Sequence, residues 1–312
     1  MSKPFKTIEE QIEILKTKKL ILEDEELVKK QLLSTTYYNT VNSYGYLLRD
    51  SNGSGNFIAN STFRELFSLY TFDKEIKDVF FRFITVIEAV FKSTLAYGFC
   101  DLYRDDYAYL HSSNYKNKTD EINNSVRLTS KLSNIISNNR DKDPIKHYCD
   151  THNNVPLWVL VKKMDFGTAH FMYCCMTLSS QNHVAKLIGT LAKDNHNKNY
   201  TITPEQLTNY ISAIKDVRNV VAHNERLLDF RSRNSVMYHS TLHNEYNYIS
   251  KSKDRKTVYD IYIISKLFLT SDQFENLTNS LKRKLKTVEK RVTSIPISTL
   301  TSVLGFPDDW HK

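Results

Sequence analysis

Apolar residues recur three and four positions apart through most of this chain, the spacing that lays a stripe along one face of an α-helix. Thr7 and Glu10 form a capping-box pattern ahead of a first helix whose inner face is Ile8, Ile12 and Leu15. Lys18 to Leu22 connects to a second helix capped by Asp24, with Leu27, Leu32 and Leu33 turned inward. A Tyr- and Asn-rich stretch, Thr35 to Leu48, follows, and Asp50 to Asn56 (DSNGSGN) is the clearest break in the chain. Thr62 to Tyr97 is the longest helical pattern, apolar nearly all round, as one helix or as two parted near Asp73. Leu157 to Met176 reads as a buried helix pair or bend that includes Trp158, with Gly167 at the turn. A short buried helix is predicted over Tyr259 to Leu269. Ser271 or Asp272 then caps a long last helix with Leu277, Leu281, Leu285, Val288 and Val292 inside. No extended alternation marks a sheet and no repeat is visible, so the expected fold is all-α.

One further helix carries unusual chemistry. Thr203 caps it, Pro204 suits its first position and Gln206 completes the start signal. Leu207, Tyr210, Ile211, Ile214, Val217 and Val221 give it a greasy face, and into this run the sequence places Arg218, Asn219 and His223. Unpaired polar groups cost several kcal/mol to bury. Asn219 and His223, four apart, share a face. Arg218 and His223, five apart, lie about 140° around a regular helix. One reading is structural: Arg218 pairs with Asp216 or Glu225, and His223 is a satisfied helix-end histidine. The other is catalytic.

Composition narrows the classes. The 312 residues can bury a substantial core, and 7 Gly with 6 Pro suit long helices rather than a turn-rich β-fold. A formal charge of +8 favours a polyanionic partner. No charged segment followed by an apolar run opens the chain, and nothing approaches the ~18 apolar residues of a membrane span, so a cytoplasmic protein without membrane partners is expected. Four cysteines without a C-x-x-C pair support neither a zinc ribbon nor a redox site, and Cys174 and Cys175 are expected reduced and buried. His147, Cys149 and His152, and separately His239 and His243, have ligand-type side chains but no matching second pair at zinc spacing. No metal or cofactor is expected.

Several basic positions can be read two ways. Glu88 and Lys92, four apart with Glu first, are spaced for an intrahelical ion pair; a second reading, a pocket shared with Arg218 and His223, rests on the family resemblance described below. Arg127 and Lys131 lie in a polar, Asn-rich excursion, either solvated or facing a phosphate backbone. Lys282, Arg283, Lys286 and Lys290 line the polar face of the last helix and invite the same two readings.

VRNVVAHNERLLDF, with Arg218, Asn219 and His223, resembles the R-x4-6-H motif of HEPN-type ribonucleases in its Arg-Asn form. KPFKTIEEQIEILKTKKLIL, the stretch Leu69 to Tyr97, PLWVLVKKMDFGTAHFMY and LGFPDDW resemble, in order, segments of abortive-infection (Abi) proteins of the AbiD/AbiF type, a bacterial phage-defence family that carries this motif. The resemblance runs from residue 3 to residue 310. It implies a HEPN-like helical bundle, and with the break at Asp50 to Asn56 and the polar excursion the expected division is an N-terminal helical subdomain (1–55), a helical core (56–265) with the insertion at about 101–144, and a C-terminal basic helix and tail (266–312). It also implies a metal-independent endoribonuclease with Arg218, His223 and Asn219 as catalytic residues and RNA as partner. Glu88 and Lys92 would add to the pocket. HEPN ribonucleases pair two motifs, and this chain has one, so a homodimer is implied. Proteins of the AbiF type pair with a small structured non-coding RNA, which could regulate this one. The alternative is a HEPN-like protein that binds RNA without cutting it, as a ribonucleoprotein scaffold or phage sensor.

Overall fold

In the computed structural model, Thr7 Oγ1 accepts from the Glu10 amide at 3.3 Å and Glu10 accepts from the Thr7 amide at 2.8 Å, so the first helix starts at the capping box. The structure describes residues 4–119, 121–246, 254–308 and 310. Of the sequence expectations, Lys3, the helix start at Asp120, part of the polar stretch ahead of Lys256 and Asp309 fall outside them.

The helices are α1 (Ile8–Thr17), α2 (Glu25–Thr35), α3 (Phe63–Leu102), α4 (Ile122–Asn138), α5 (Ile145–His152), α6 (Leu157–Leu160), α7 (Phe166–Cys175), α8 (Leu178–His196), α9 (Pro204–Ala222), α10 (Ser240–Asn244), α11 (Val258–Ser265), α12 (Ser271–Arg291) and α13 (Ile297–Leu304). Among the described residues there are no strands, only isolated bridges such as Ile21 with Thr62. The fold is all-α. None of these helices is long and apolar enough to cross a membrane.

The chain gathers into two units, residues 1–81, 220–230 and 276–312 in one and 82–219 with 231–275 in the other. In the first, α1 packs on α2, and Tyr44 meets Tyr70 edge to face at 5.9 Å between ring centres. Glu65, buried on α3, accepts from the Thr293 and Ser294 amides at 2.7 and 2.8 Å and so fixes the turn after α12. Four hydrogen bonds from Ser294, Thr293 and Thr62 outweigh burial and hold its carboxyl below the usual carboxylate range. In the second unit, Phe91 of α3 lies edge-on to Phe166 and Tyr173 of α7 at 6.1 and 5.9 Å. α8 packs close to α3: a Cβ at Gly98 would stand 2.8 Å from Val184.

Several expectations change. α3 runs unbroken past Asp73, because that carboxylate finds buried partners instead of ending the helix. The inner face of α2 is Val28 and Leu32, whereas Leu27 and Leu33 are exposed, since the Asp24 cap sets a register in which they point outward. Thr270, not Ser271 or Asp272, exchanges capping hydrogen bonds with Gln273 at 3.3 and 3.1 Å. Asp165 caps α7, so Gly167 lies inside its first turn rather than at the bend. Cys174 is half-buried and only Cys175 is fully enclosed. Trp158 is 57% exposed.

Candidate functional site

The end of α9 is built with unusual care. His223 is the residue at which the helix stops, and Asn224 follows in the left-handed conformation (φ 54°). The Glu225 amide reaches back to the Val220 carbonyl at 2.9 Å and the Asn224 amide to Val221 at 3.3 Å. This double bond pattern with a left-handed residue is the Schellman stop, with Asn in the place glycine usually takes. It leaves His223 exposed, and the imidazole makes no hydrogen bond among the described residues. The imidazole is open to solvent, a placement that fits either reading of His223.

The loop beyond is held from α3. Asp73, wholly buried, accepts from the Leu227 and Leu228 amides at 3.0 and 2.8 Å, from Tyr44 Oη at 2.8 Å, and pairs with Lys77 at 3.1 Å. Lys77, 5% exposed, donates to the Asn224 side-chain oxygen at 2.8 Å and to the Glu225 carbonyl at 3.1 Å. Every polar group of this buried pair is used, which is the condition under which a buried ion pair is tolerated. The sequence marks Asp73 only as a possible helix break and gives Lys77 no role. A signal existed: an Asp and a Lys four apart among Phe72, Ile76 and Phe80 need internal partners.

In the second unit, Arg218, Glu88 and Lys92 line one cleft of about 1240 Å³. Lys92 Nζ sits 2.5 Å from Glu88 Oε1 and Arg218 Nε 4.0 Å from Glu88 Oε2. The intrahelical pair is present, and Arg218 shares the cleft with it, whereas neither Asn219 nor His223 is among the residues that line this cleft. Asp216, one candidate partner for Arg218, is taken by Arg233, whose backbone amide donates to it at 3.1 Å and whose Nε lies at 3.6 Å. Arg218 stays about one-third exposed and meets Glu88 only at the limit of an ion pair, so much of its guanidinium fork is free to hold an anion. Asn219 is half-buried, its amide without a hydrogen-bond partner among the described residues. Cys100 also lines the cleft, but burial pushes its thiol up to about 11, which keeps it protonated and a poor nucleophile.

The other basic positions fall into two groups. Lys282, Arg283, Lys286 and Lys290, with Arg291, line a groove of about 650 Å³ along α12. Arg127 and Lys131 project from α4, Arg127 over the Phe171 ring at 5.7 Å. A rival cluster, His170 with Cys174 at 3.6 Å and Lys215 at 3.3 Å, is unsuited to nucleophilic chemistry. Burial, helped by Lys215, brings the His170 pKa down to about 4, and burial raises that of Cys174, so the pair rests neutral. No group of three or more His, Cys, Asp or Glu side chains among the described residues could hold a metal ion.

No curated protein and no solved structure matches the chain. The model of one family, described as Abi-like protein, matches residues 30–229. That match takes in α3, the cleft and the whole of α9 with its Schellman stop, and covers more than half of the sequence: the chain belongs to the Abi-like family of abortive-infection proteins.

Proposed function

We propose that this abortive-infection protein is a metal-independent endoribonuclease of the HEPN type, acting in the cytoplasm. The observation that carries the reading is the state of the motif side chains. Asn219 and His223 have polar groups with no partner among the described residues, at the end of a helix whose stop is fixed by backbone bonds, and Arg218 is only loosely paired. Stable helix ends do not need such uncommitted groups, whereas phosphoryl chemistry does.

RNA supplies its own nucleophile, the 2′-OH. His223 takes the 2′-OH proton as that oxygen attacks the phosphorus, and Arg218 donates to the phosphoryl oxygens as charge builds. Asn219 holds a phosphate oxygen or orients the imidazole. The P–O5′ bond breaks, leaving a 2′,3′-cyclic phosphate and a 5′-OH once a proton reaches the leaving oxygen. One imidazole cannot readily be base and acid in the same turnover, so a second copy supplies the acid in a homodimer. A small structured RNA is the proposed regulator.

The test compares wild type with His223→Ala and Arg218→Ala in cells and with purified RNA, light scattering being recorded on the same samples. Wild type should give fragments ending in 2′,3′-cyclic phosphate. Each variant should lose about 10²-fold or more in rate, as expected for an acid–base group or a charge-stabilising donor. Equal cleavage by wild type and both variants would end the proposal. The basic groove on α12 favours a second reading, a protein that binds RNA without cutting it. Bound RNA with no cleavage by wild type would select that one.

A further inference from the structure

The cleft beside Arg218 has a feature that the phosphodiester chemistry does not use. α6 is a single turn in which Leu157, Val159 and Leu160 are buried while Trp158 turns out, and Trp158 lines the cleft. Across its lining from α3, Tyr97 is 63% exposed. A Trp and a Tyr left in solvent on a concave wall forgo several kcal/mol of burial, and neither ring has an aromatic or cationic partner among the described residues. α3 also contributes Ala89, Ser93 and Ala96 to the lining, side chains small enough to leave room beside the rings. Thr85 to Asp101 covers about 24 Å of helix.

The charges in the cleft are mostly matched. Glu88 faces Lys92 and Arg218, while Asp101 faces Arg104 at 3.1 Å and His183 at 3.1 Å. Lys162, exposed, Asp105 and Asp106 remain without a salt-bridge partner among the described residues, so the lining's four cations are matched in number by four carboxylates. A cleft that is near neutral and aromatic, with lining drawn from about 24 Å of α3, is poorly suited to gripping a duplex backbone, which calls for a continuous positive lining. It is well suited to unpaired bases, whose faces stack on aromatic rings and whose edges bond to groups such as the Glu88–Lys92 pair.

We infer that, given the RNA substrate proposed above, this cleft takes the unpaired bases of a single-stranded segment, with Tyr97 and Trp158 as stacking platforms and Arg218 on the adjoining phosphate. At ~3.4 Å per stacked nucleotide, the ~24 Å of α3 that contributes lining sets an upper bound of roughly seven nucleotides. The protein therefore selects RNA by the absence of pairing, and stacking makes the choice tolerant of base identity.

The two tryptophans make this measurable, because Trp310→Phe leaves Trp158 as the sole indole. In that background, with His223→Ala to keep RNA intact, an unstructured oligoribonucleotide of about seven nucleotides should quench Trp158 fluorescence. The same sequence annealed to its complement should not. Tyr97→Ala should weaken binding about 5- to 100-fold, the range for loss of one stacked base. By gel shift, Trp158→Ala should do the same while Trp158→Phe restores most of the affinity, a rescue that a general packing role would not give. RNA that binds by gel shift without moving Trp158 fluorescence would overturn the inference, as would equal binding of the duplex, equal quenching by a mononucleotide, or no RNA binding. Cleavage by wild type with a silent Trp158 removes this site but leaves the nuclease standing. A responsive Trp158 without wild-type cleavage does the reverse.

Discussion

Asp73 shows how much one carboxylate can organise. It is enclosed within the first unit and accepts from two loop amides, a tyrosine and a lysine. Replacing it by alanine strands Lys77 and both amides, and removing one partner of a buried pair costs about 3–5 kcal/mol. Asp73→Ala should lower the denaturant midpoint accordingly, and Asp73→Asn, which keeps an acceptor oxygen, should cost less. A loss below about 1 kcal/mol for the alanine variant would mean that the loop is held by other groups. The residue was legible in the sequence only as a possible helix break, since its partners Leu227 and Leu228 lie more than 150 positions downstream. Arg218 is a similar case. Its local candidates were Asp216 and Glu225, and its neighbour in the structure is Glu88, on another helix.

Helix starts were the most readable elements, because capping is local. The reciprocal bonds of Thr7 with Glu10 and of Thr203 with Gln206 (3.0 and 3.2 Å) are those the sequence predicts. Which side of a helix meets solvent was less readable where every position is apolar. Nothing in the turn LWVL says that the tryptophan is the one turned out, as packing of α6 decides it. Close helix approach was also hidden. A Cβ at Gly189 of α8 would stand 2.5 Å from the backbone carbonyl oxygen of Tyr200, which cannot rotate away. Gly189→Ala should therefore destabilise by about 1–3 kcal/mol despite alanine's better helix propensity, with thermal unfolding as the measurement. An unchanged or raised midpoint would show that the segment before α9 yields freely.

At the scale of the molecule, acid sensitivity follows from three buried imidazoles, those of His170, His239 and His243. Burial lowers all three and, helped by Lys215 at His170 and by Arg255 at His243, brings the pKa values of these two down to about 4. The folded protein keeps them neutral, while the unfolded chain protonates them near pH 6.5. Their contribution is complete above that pH and is lost as pH falls from about 6.5 to about 4, at up to about 1.4 kcal/mol per pH unit for each. Urea unfolding between about pH 7.5 and 4.5 should show this decline, and His170→Gln should reduce its slope by about one proton. An unchanged slope would mean that His170 charges freely in the folded state.

The first unit is assembled from three separate stretches of chain, tied by Glu65 to the turn after α12 and by Asp73 to the loop after α9. Each tie closes a very long loop, and such contacts form late because chain entropy opposes them. During synthesis, the segment bearing His223 can meet Asp73 and Lys77 only once residues 224–228 have emerged, while the Glu65 tie must wait for the turn after α12. The helix end that carries His223 is thus completed by residues laid down about 150 positions before it, and it closes well after α3 has been made.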